Sequence, residues 1–398
     1  MLNSINIFKK HQAQTFPYPS CLEIKSSSGS YIIDVNNNKY LDFVAGVSAC
    51  TLGHSNPIIN QAIINQVNKY SHVMVYGEYI QSPQYELAFL LSKQLPKNLN
   101  TTYFTNSGTE AIEGAIKLAK RSNKRAEILS CKNSYHGSTQ GSLSVMGNEN
   151  QKTNYRPLVP QCNQIIYNDL NSINKITSKT SAVVLEPIQA ASGFIEIDIN
   201  FLEEIRKKCN ETGTLLIFDE IQTCYGRIGS LFASTYYNIY PDILCIAKGM
   251  GAGMPIGAFI SSWELMNNLT SSPSLGHITT FGGHPVCCAA SLACLKYLIS
   301  SDLISSIKTK EELFRKQLNH SLIKEIRGKG LMLAIELKNE NLAKKLVEES
   351  LKRGLILFYF LLTKTAIRIS PPLTISNDEI IKGCKIINLI LDENKHLI

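Results

Sequence analysis

The strongest constraint on the fold of this chain is a series of short apolar segments, separated by helical ones, through its middle. Strand-like stretches occur at Thr102–Phe104, Ile128–Ser130, Ala182–Leu185, Leu215–Phe218 and Ile243–Ala247. Between several of them, apolar residues return every third or fourth position. Gly108–Arg121 is the clearest case, with Ala111, Ile112, Ala115, Leu118 and Ala119, and Phe201–Cys209 is another. A strand buried on both faces reads as a continuous apolar run, and parallel neighbours need a crossover helix. The alternation therefore predicts an α/β fold with a largely parallel, doubly wound sheet. Upstream, Tyr31–Phe43 alternates around a polar Asn36-Asn37-Asn38 turn and reads as a hairpin, and Asn56–Tyr70 has helical spacing. Beyond His284 the pattern changes. A long apolar helix, Pro285–Ile299, leads into a mixed region with a turn at Arg327–Gly330 and a buried strand over Leu355–Leu362. The change divides the chain into a large unit over 51–290 and a smaller α+β unit made from both termini, 1–50 and 291–398.

Composition narrows the function classes. The net charge of +8 comes from 40 Lys+Arg against 32 Asp+Glu, dispersed along 398 residues as a solvated surface and not as a nucleic-acid patch. Eleven cysteines, with no Cys-x-x-Cys pair, argue against a disulfide framework or a zinc knuckle and suit a reducing compartment. Met1–Gln14 lacks the apolar core of a signal peptide, and the longest apolar run is far short of a membrane span. A cytoplasmic, soluble protein with no membrane partner is expected.

Four segments carry chemistry. In Pro241-Asp242-Ile243-Leu244-Cys245-Ile246-Ala247-Lys248-Gly249 a lysine ends a buried strand. Removing water from an amine lowers its pKa and makes it a nucleophile toward an aldehyde, although most lysines at strand ends are solvated edge residues. In Leu215-Leu216-Ile217-Phe218-Asp219-Glu220 another buried strand ends in a carboxylate. Such a group can keep a pyridine nitrogen protonated; its plainer roles are to cap a turn or bind a metal, and no ligand-spaced cluster lies nearby. The spacing of Asp219 and Lys248 leaves room for one strand–crossover–strand unit, which puts both at the sheet edge where open α/β sheets bind ligands. Third, Asn106-Ser107-Gly108-Thr109-Glu110 opens the strongest helix, and a phosphate can rest on the free N–H groups there. Ser107 and Glu110 also have the spacing of an ordinary capping box. Tyr135, in Ser134-Tyr135-His136-Gly137-Ser138, offers a ring that can stack on a pyridine; taken alone, Tyr135 and His136 read as core or surface residues.

In this order, and together with Gly53-His54, Glu186-Pro187-Ile188-Gln189, Tyr225-Gly226-Arg227, Thr279-Thr280-Phe281-Gly282-Gly283 and Arg368-Ile369-Ser370-Pro371-Pro372, these segments resemble the fold-type I pyridoxal-phosphate enzymes of the ornithine-type (subgroup III) aminotransferases over nearly the whole chain. The resemblance implies that Lys248 holds pyridoxal 5'-phosphate as a Schiff base and shuttles protons. It implies that Asp219 pairs with the pyridinium, Gln222 meets the phenolic oxygen, and Tyr135 stacks on the ring. Ser107, Gly108 and Thr109 would bind the phosphate, with Thr280 reaching it from the partner subunit of a homodimer. Arg368 would bind a substrate carboxylate, with Tyr76, Val47 and Glu186 on the substrate side.

Two departures stand out. The family motif that begins at Glu186 usually continues with Gly and then Glu; this chain has Ala190-Ala191, so Arg368 lacks its customary acidic partner. Cys224 replaces a common glycine. Near Val47, where ornithine aminotransferases carry a tyrosine, Gly46-Val47-Ser48-Ala49-Cys50 offers small residues. That resembles enzymes acting on N-acylated ornithine, with N-acetylornithine as donor and 2-oxoglutarate as acceptor. The alternatives are an ornithine or lysine ω-aminotransferase, a glutamate-semialdehyde aminomutase (disfavoured by Gln222), and a non-catalytic protein on the same scaffold.

Overall fold

A computed structural model describes residues 4–397; Met1–Asn3 and Ile398, which fall within the N-terminal reading and the outer limits of the smaller unit, lie outside the described residues. The centre is a seven-stranded sheet in the order Thr101–Thr105, Gly257–Ser261, Ile243–Ile246, Leu215–Asp219, Thr180–Leu185, Glu127–Cys131 and Cys162–Ile165. All five strands expected through the middle of the chain are in it. Cys162–Ile165 and Gly257–Ser261 were not expected. Gly257–Ser261 is fully buried and runs antiparallel to both neighbours, so the sheet is parallel except for this one member. It follows the glycine-rich turn directly, and nothing local in its five residues tells strand from loop.

The helices begin where their caps dictate. Asn56 accepts from the Ile58 N–H ahead of Pro57–Lys69, Ser107 accepts from Glu110 N–H ahead of Gly108–Asn123, and Asp198 caps Ile199–Thr212, which ends on Gly213 in a left-handed conformation. The helix Gly108–Asn123 buries Ala111, Ile112, Ala115, Leu118 and Ala119, the face anticipated from its periodicity.

Two smaller sheets flank this core. Ile323–Lys329, Met332–Leu337, Ala366–Ile369 and Phe358–Tyr359 form one of them. The other joins the two ends of the chain: Ile24–Ser28, Tyr31–Asp34 and Lys39–Asp42 continue into Leu355–Ile356. Two details differ from expectation. The turn lies at Gly330-Leu331, because the strand runs on to Lys329 and Arg327 pairs with Ala334. The run Leu355–Leu362 is not one buried strand. It passes from one flanking sheet to the other, so no single face stays covered, and Phe358 and Leu361 are about half exposed. Among the described residues no helix is long and apolar enough to cross a membrane.

Candidate active site

Strands Leu215–Asp219 and Ile243–Ile246 are parallel neighbours with Asp219 opposite Cys245. The carboxylate and the lysine just past the second strand therefore emerge at the same sheet edge. A cavity of about 650 Å³ opens there, lined by Lys248, Asp219, Gln222, Tyr135 and Glu186 together with Ser107, Gly108 and Thr109.

Lys248 begins a short 3-10 turn with φ of 45°, a left-handed conformation that a side chain this bulky rarely adopts. Its neighbour Gly249 has no room for a side chain, since a Cβ there would stand 2.7 Å from Thr51 Oγ1. Burial pulls the Lys248 ammonium down to about 8; Asp219 opposes this and Arg368 adds to it. Nζ donates to Gln222 Oε1 at 3.1 Å, and Gln222 Nε2 donates to Ser48 Oγ at 3.1 Å. This chain of contacts fixes which end of the Gln222 amide faces the lysine.

Asp219 is held from both sides. Oδ1 accepts from the Ile221 N–H at 3.1 Å, and Oδ2 lies 2.8 Å from Nδ1 of the wholly buried His136. Burial disfavours an imidazolium at His136, but the hydrogen bond to Asp219 and the negative charges of Asp219 and Glu186 together outweigh it, and the net shift is upward. His136 Nε2 is buried without a partner, so the ring is committed to the carboxylate. Reading the sequence gave no role to His136. The contact joins residues 83 positions apart, and no local pattern reports it.

At the other end of the cavity, the Gly108–Asn123 helix points its first N–H groups outward, as every helix start does. The capping box is only half made: Ser107 Oγ accepts from Glu110 N–H at 3.3 Å, but Glu110 Oε2 turns to Asn106 N–H at 2.7 Å. The space beside Gly108 is taken by Ile221, whose Cδ1 would lie 2.7 Å from a Cβ. Thr109 Oγ1 meets Thr139 Oγ1 at 2.7 Å and Ser142 Oγ at 2.6 Å, and Glu113 Oε1 receives the Gly141 and Ser142 N–H groups at 2.8 and 3.0 Å. Thr139, Ser142 and Glu113 also escaped the sequence reading.

On the remaining wall, Tyr135 N–H donates to Glu186 Oε1 at 2.9 Å and Ala190 N–H to Oε2 at 2.8 Å, so both Glu186 oxygens serve the backbone. Burial pushes the Glu186 carboxyl upward. Arg368, on the strand Ala366–Ile369, lies over Phe360 at 4.9 Å and Phe194 at 5.7 Å. Its Nε and Nη1 are buried with no partner, and burial lowers it to about 10. The guanidinium is thus flanked by two rings, Phe194 from the segment of Ala191 and Phe360 from the run after Leu355, and Ala191 offers it no carboxylate. Arg368 is not among the residues that line this cavity, and neither are the remaining expected residues. Val47 is half-buried at φ 61° and leaves the wall to Ala49. Tyr76 lines a separate cavity of about 820 Å³, and Thr280 is exposed.

A family model described as aminotransferase class-III matches residues 13–391. The chain is 36% identical over 368 residues to an acetylornithine aminotransferase of Clostridium acetobutylicum, covering 89% of this chain and 92% of that protein. A Methanopyrus kandleri protein of the same name is 36% identical over 358 residues, covering 89% and 90%. Among solved structures, a pyridoxal-phosphate-bound amine transaminase from an uncultivated Pseudomonas species is similar with a TM-score of 0.86 at 25% identity, over 96% of this chain and 99% of that one.

Proposed function

Because the chain belongs to the class-III aminotransferases, we propose that it moves an amino group from an N-acylated ornithine, N-acetylornithine foremost, to 2-oxoglutarate. The products are the semialdehyde and glutamate, which places the enzyme in arginine or lysine biosynthesis in the cytoplasm. It is a pyridoxal-phosphate-dependent aminotransferase acting on small amino and keto acids. The names of the curated relatives support the donor. Within the chain, the observation that carries the reading is the buried Arg368, with two unpartnered nitrogens, close enough to depress Lys248. A guanidinium in that position awaits a carboxylate.

The residues fit the cofactor: a buried amine of lowered pKa, a carboxylate backed by His136, and a helix start border one cavity. When bound, pyridoxal phosphate supplies an aldehyde for the lysine and a cationic ring that withdraws electrons from the substrate's reacting carbon. The first turn of Gly108–Asn123 and the Thr109 hydroxyl would hold the phosphate. Asp219 would hold a proton on the ring nitrogen, and Tyr135, which lines the same cavity, would help exclude water from it. Lys248 Nζ, poised at about 8, takes the proton from the substrate's amine-bearing carbon and returns it in the second half of the cycle. Arg368 orients the substrate through its carboxylate.

A donor panel against 2-oxoglutarate tests this reading. N-acetylornithine or N-succinylornithine should give a kcat/KM at least about tenfold above ornithine, lysine and 4-aminobutyrate. Arg368→Ala should raise KM roughly tenfold or more for donor and 2-oxoglutarate alike. Faster turnover of free ornithine or lysine would replace the proposal with an ω-aminotransferase.

We also infer a homodimer with shared sites. Tyr79, Ile80 and Tyr85 stand exposed around the cavity that holds Tyr76, and such an apolar patch is a docking surface. A second copy placed there would bring Thr280 to its neighbour's phosphate. Mixing inactive Lys248→Ala with Thr280→Ala subunits should then recover about a quarter of wild-type activity, because half the dimers would own one intact site. No recovery beyond the sum of the parents would reject sharing. In the same reading, 51–290 carries the cofactor, and 1–50 acts with 291–398 as the smaller unit, supported by the Lys39–Asp42 pairing with Leu355–Ile356.

A further inference from the structure

Among the described residues Arg227 is the largest fully buried side chain, and no carboxylate is among the groups that act on its charge. A buried cation without a counter-ion costs the fold stability that an apolar residue of like volume would not. What the guanidinium adds is direction. Nη1 donates to the Leu331 carbonyl at 3.1 Å and also to the Pro371 carbonyl, and the Leu331 N–H returns to Arg227 O at 2.9 Å. Nη2 is buried with no partner. Both carbonyls sit at the ends of strands that form the frame of Arg368. Leu331 directly precedes Met332–Leu337, whose Ala334 pairs with Arg368, and Pro371 lies two residues past Ala366–Ile369, the strand of Arg368 itself.

At its own end, Arg227 belongs to the loop that leaves Asp219 and carries Gln222, the partner of Lys248 Nζ. That loop is tightly wound. Tyr225 and Gly226 take φ of 57° and 88°, and the Tyr225 N–H donates to Leu231 O at 2.7 Å. The junction has no slack either, since a Cβ on Gly330 would stand 2.5 Å from Arg227 O. One guanidinium nitrogen therefore ties the frame of Arg368 to the frame of Lys248. We propose that Arg227 is a positioning residue for the substrate: it sets the distance between the Arg368 guanidinium and the Lys248 amine, and so how far a bound carboxylate stands from the reacting carbon. The proposal rests on the reading that Arg368 binds the substrate carboxylate. Loosening the tie weakens a contact made before and during the reaction alike, which raises KM and leaves kcat.

The test compares the wild-type holoenzyme with Arg227→Met and Arg227→Lys. In Arg227→Met, KM for donor and 2-oxoglutarate should rise about tenfold while kcat stays within about threefold. The Kd for glutarate, a dicarboxylate with no group to react, should rise by the same factor in calorimetry. Hydroxylamine carries no carboxylate, so the rate at which it bleaches the visible band should be unchanged. Arg227→Lys, whose ammonium has three N–H groups for the same two carbonyls, should recover most of the lost affinity. Should Arg227→Met not fold, Arg227→Gln, which keeps a polar donor without its reach, is read in the same way. Unchanged glutarate affinity, a parallel fall in kcat and hydroxylamine rate, or no recovery with lysine would each overturn the proposal. A double variant separates it from the reading beneath it. Arg368→Ala alone should weaken glutarate about tenfold, and adding Arg227→Met should weaken it no further. Unaltered glutarate binding in Arg368→Ala would remove the carboxylate reading itself; a full additional loss in the double variant would remove only the role of Arg227.

Discussion

Lys248→Ala should abolish transamination, lowering turnover by about 10^4-fold or more, because the group that moves the proton is lost outright. The visible absorption of the lysine-bound cofactor should vanish with it. The loss should not come from unfolding. A lysine whose pKa falls from 10.5 to about 8 binds its proton less tightly in the folded chain than in the unfolded one. At neutral pH its ammonium therefore weighs against the folded state, and this penalty disappears as pH rises past the unfolded value. The cofactor-free variant should thus melt no lower than the cofactor-free wild type. In the wild type, the rate at which the band develops after pyridoxal phosphate is added should rise with pH about a midpoint near 8. A variant that keeps measurable turnover, or a wild-type midpoint at the ordinary lysine value, would remove Lys248 from the centre of the reaction.

Residues that follow directly from a buried strand were legible in the sequence. Asp219 and Lys248 end runs that are apolar because both faces of the sheet are covered, and Ser107–Thr109 sit where a strand hands over to an amphipathic helix. Local periodicity reports each of these. It cannot report direction, so the antiparallel Gly257–Ser261 escaped notice although it separates two expected strands. Nor can it report partners brought together by folding. The contact of His136 with Asp219, the Thr109–Thr139–Ser142 hydroxyls and the Phe194–Phe360 seat of Arg368 all join segments far apart in the chain. The Ala190-Ala191 departure and the loss of an acidic partner for Arg368 were visible, but the two rings that flank the guanidinium, with its unpartnered nitrogens, were not. Tyr76 and Thr280 show a further limit, since the cavity built by this chain includes neither.

The second large effect separates the charge of Asp219 from its structural duties. Asp219→Ala removes the acceptor for the Ile221 N–H and the partner of a fully buried His136, so the fold itself should lose about 1–3 kcal/mol along with activity. Asp219→Asn keeps the shape and an oxygen for the Ile221 N–H while abolishing the negative charge. If the carboxylate does no more than cap a turn, the asparagine variant should be nearly as active as wild type. If its charge holds the proton on the cofactor ring, turnover should drop by about 10^2- to 10^3-fold, as when a preorganised electrostatic partner is withdrawn elsewhere. The melting temperature should stay close to wild type, and cofactor content should remain near full, since Lys248 and the helix start that binds the phosphate are untouched. Steady-state rates beside absorbance-based cofactor counts decide the matter. Turnover within tenfold of wild type in Asp219→Asn would leave His136 with a merely structural companion and would require another group to keep the ring protonated.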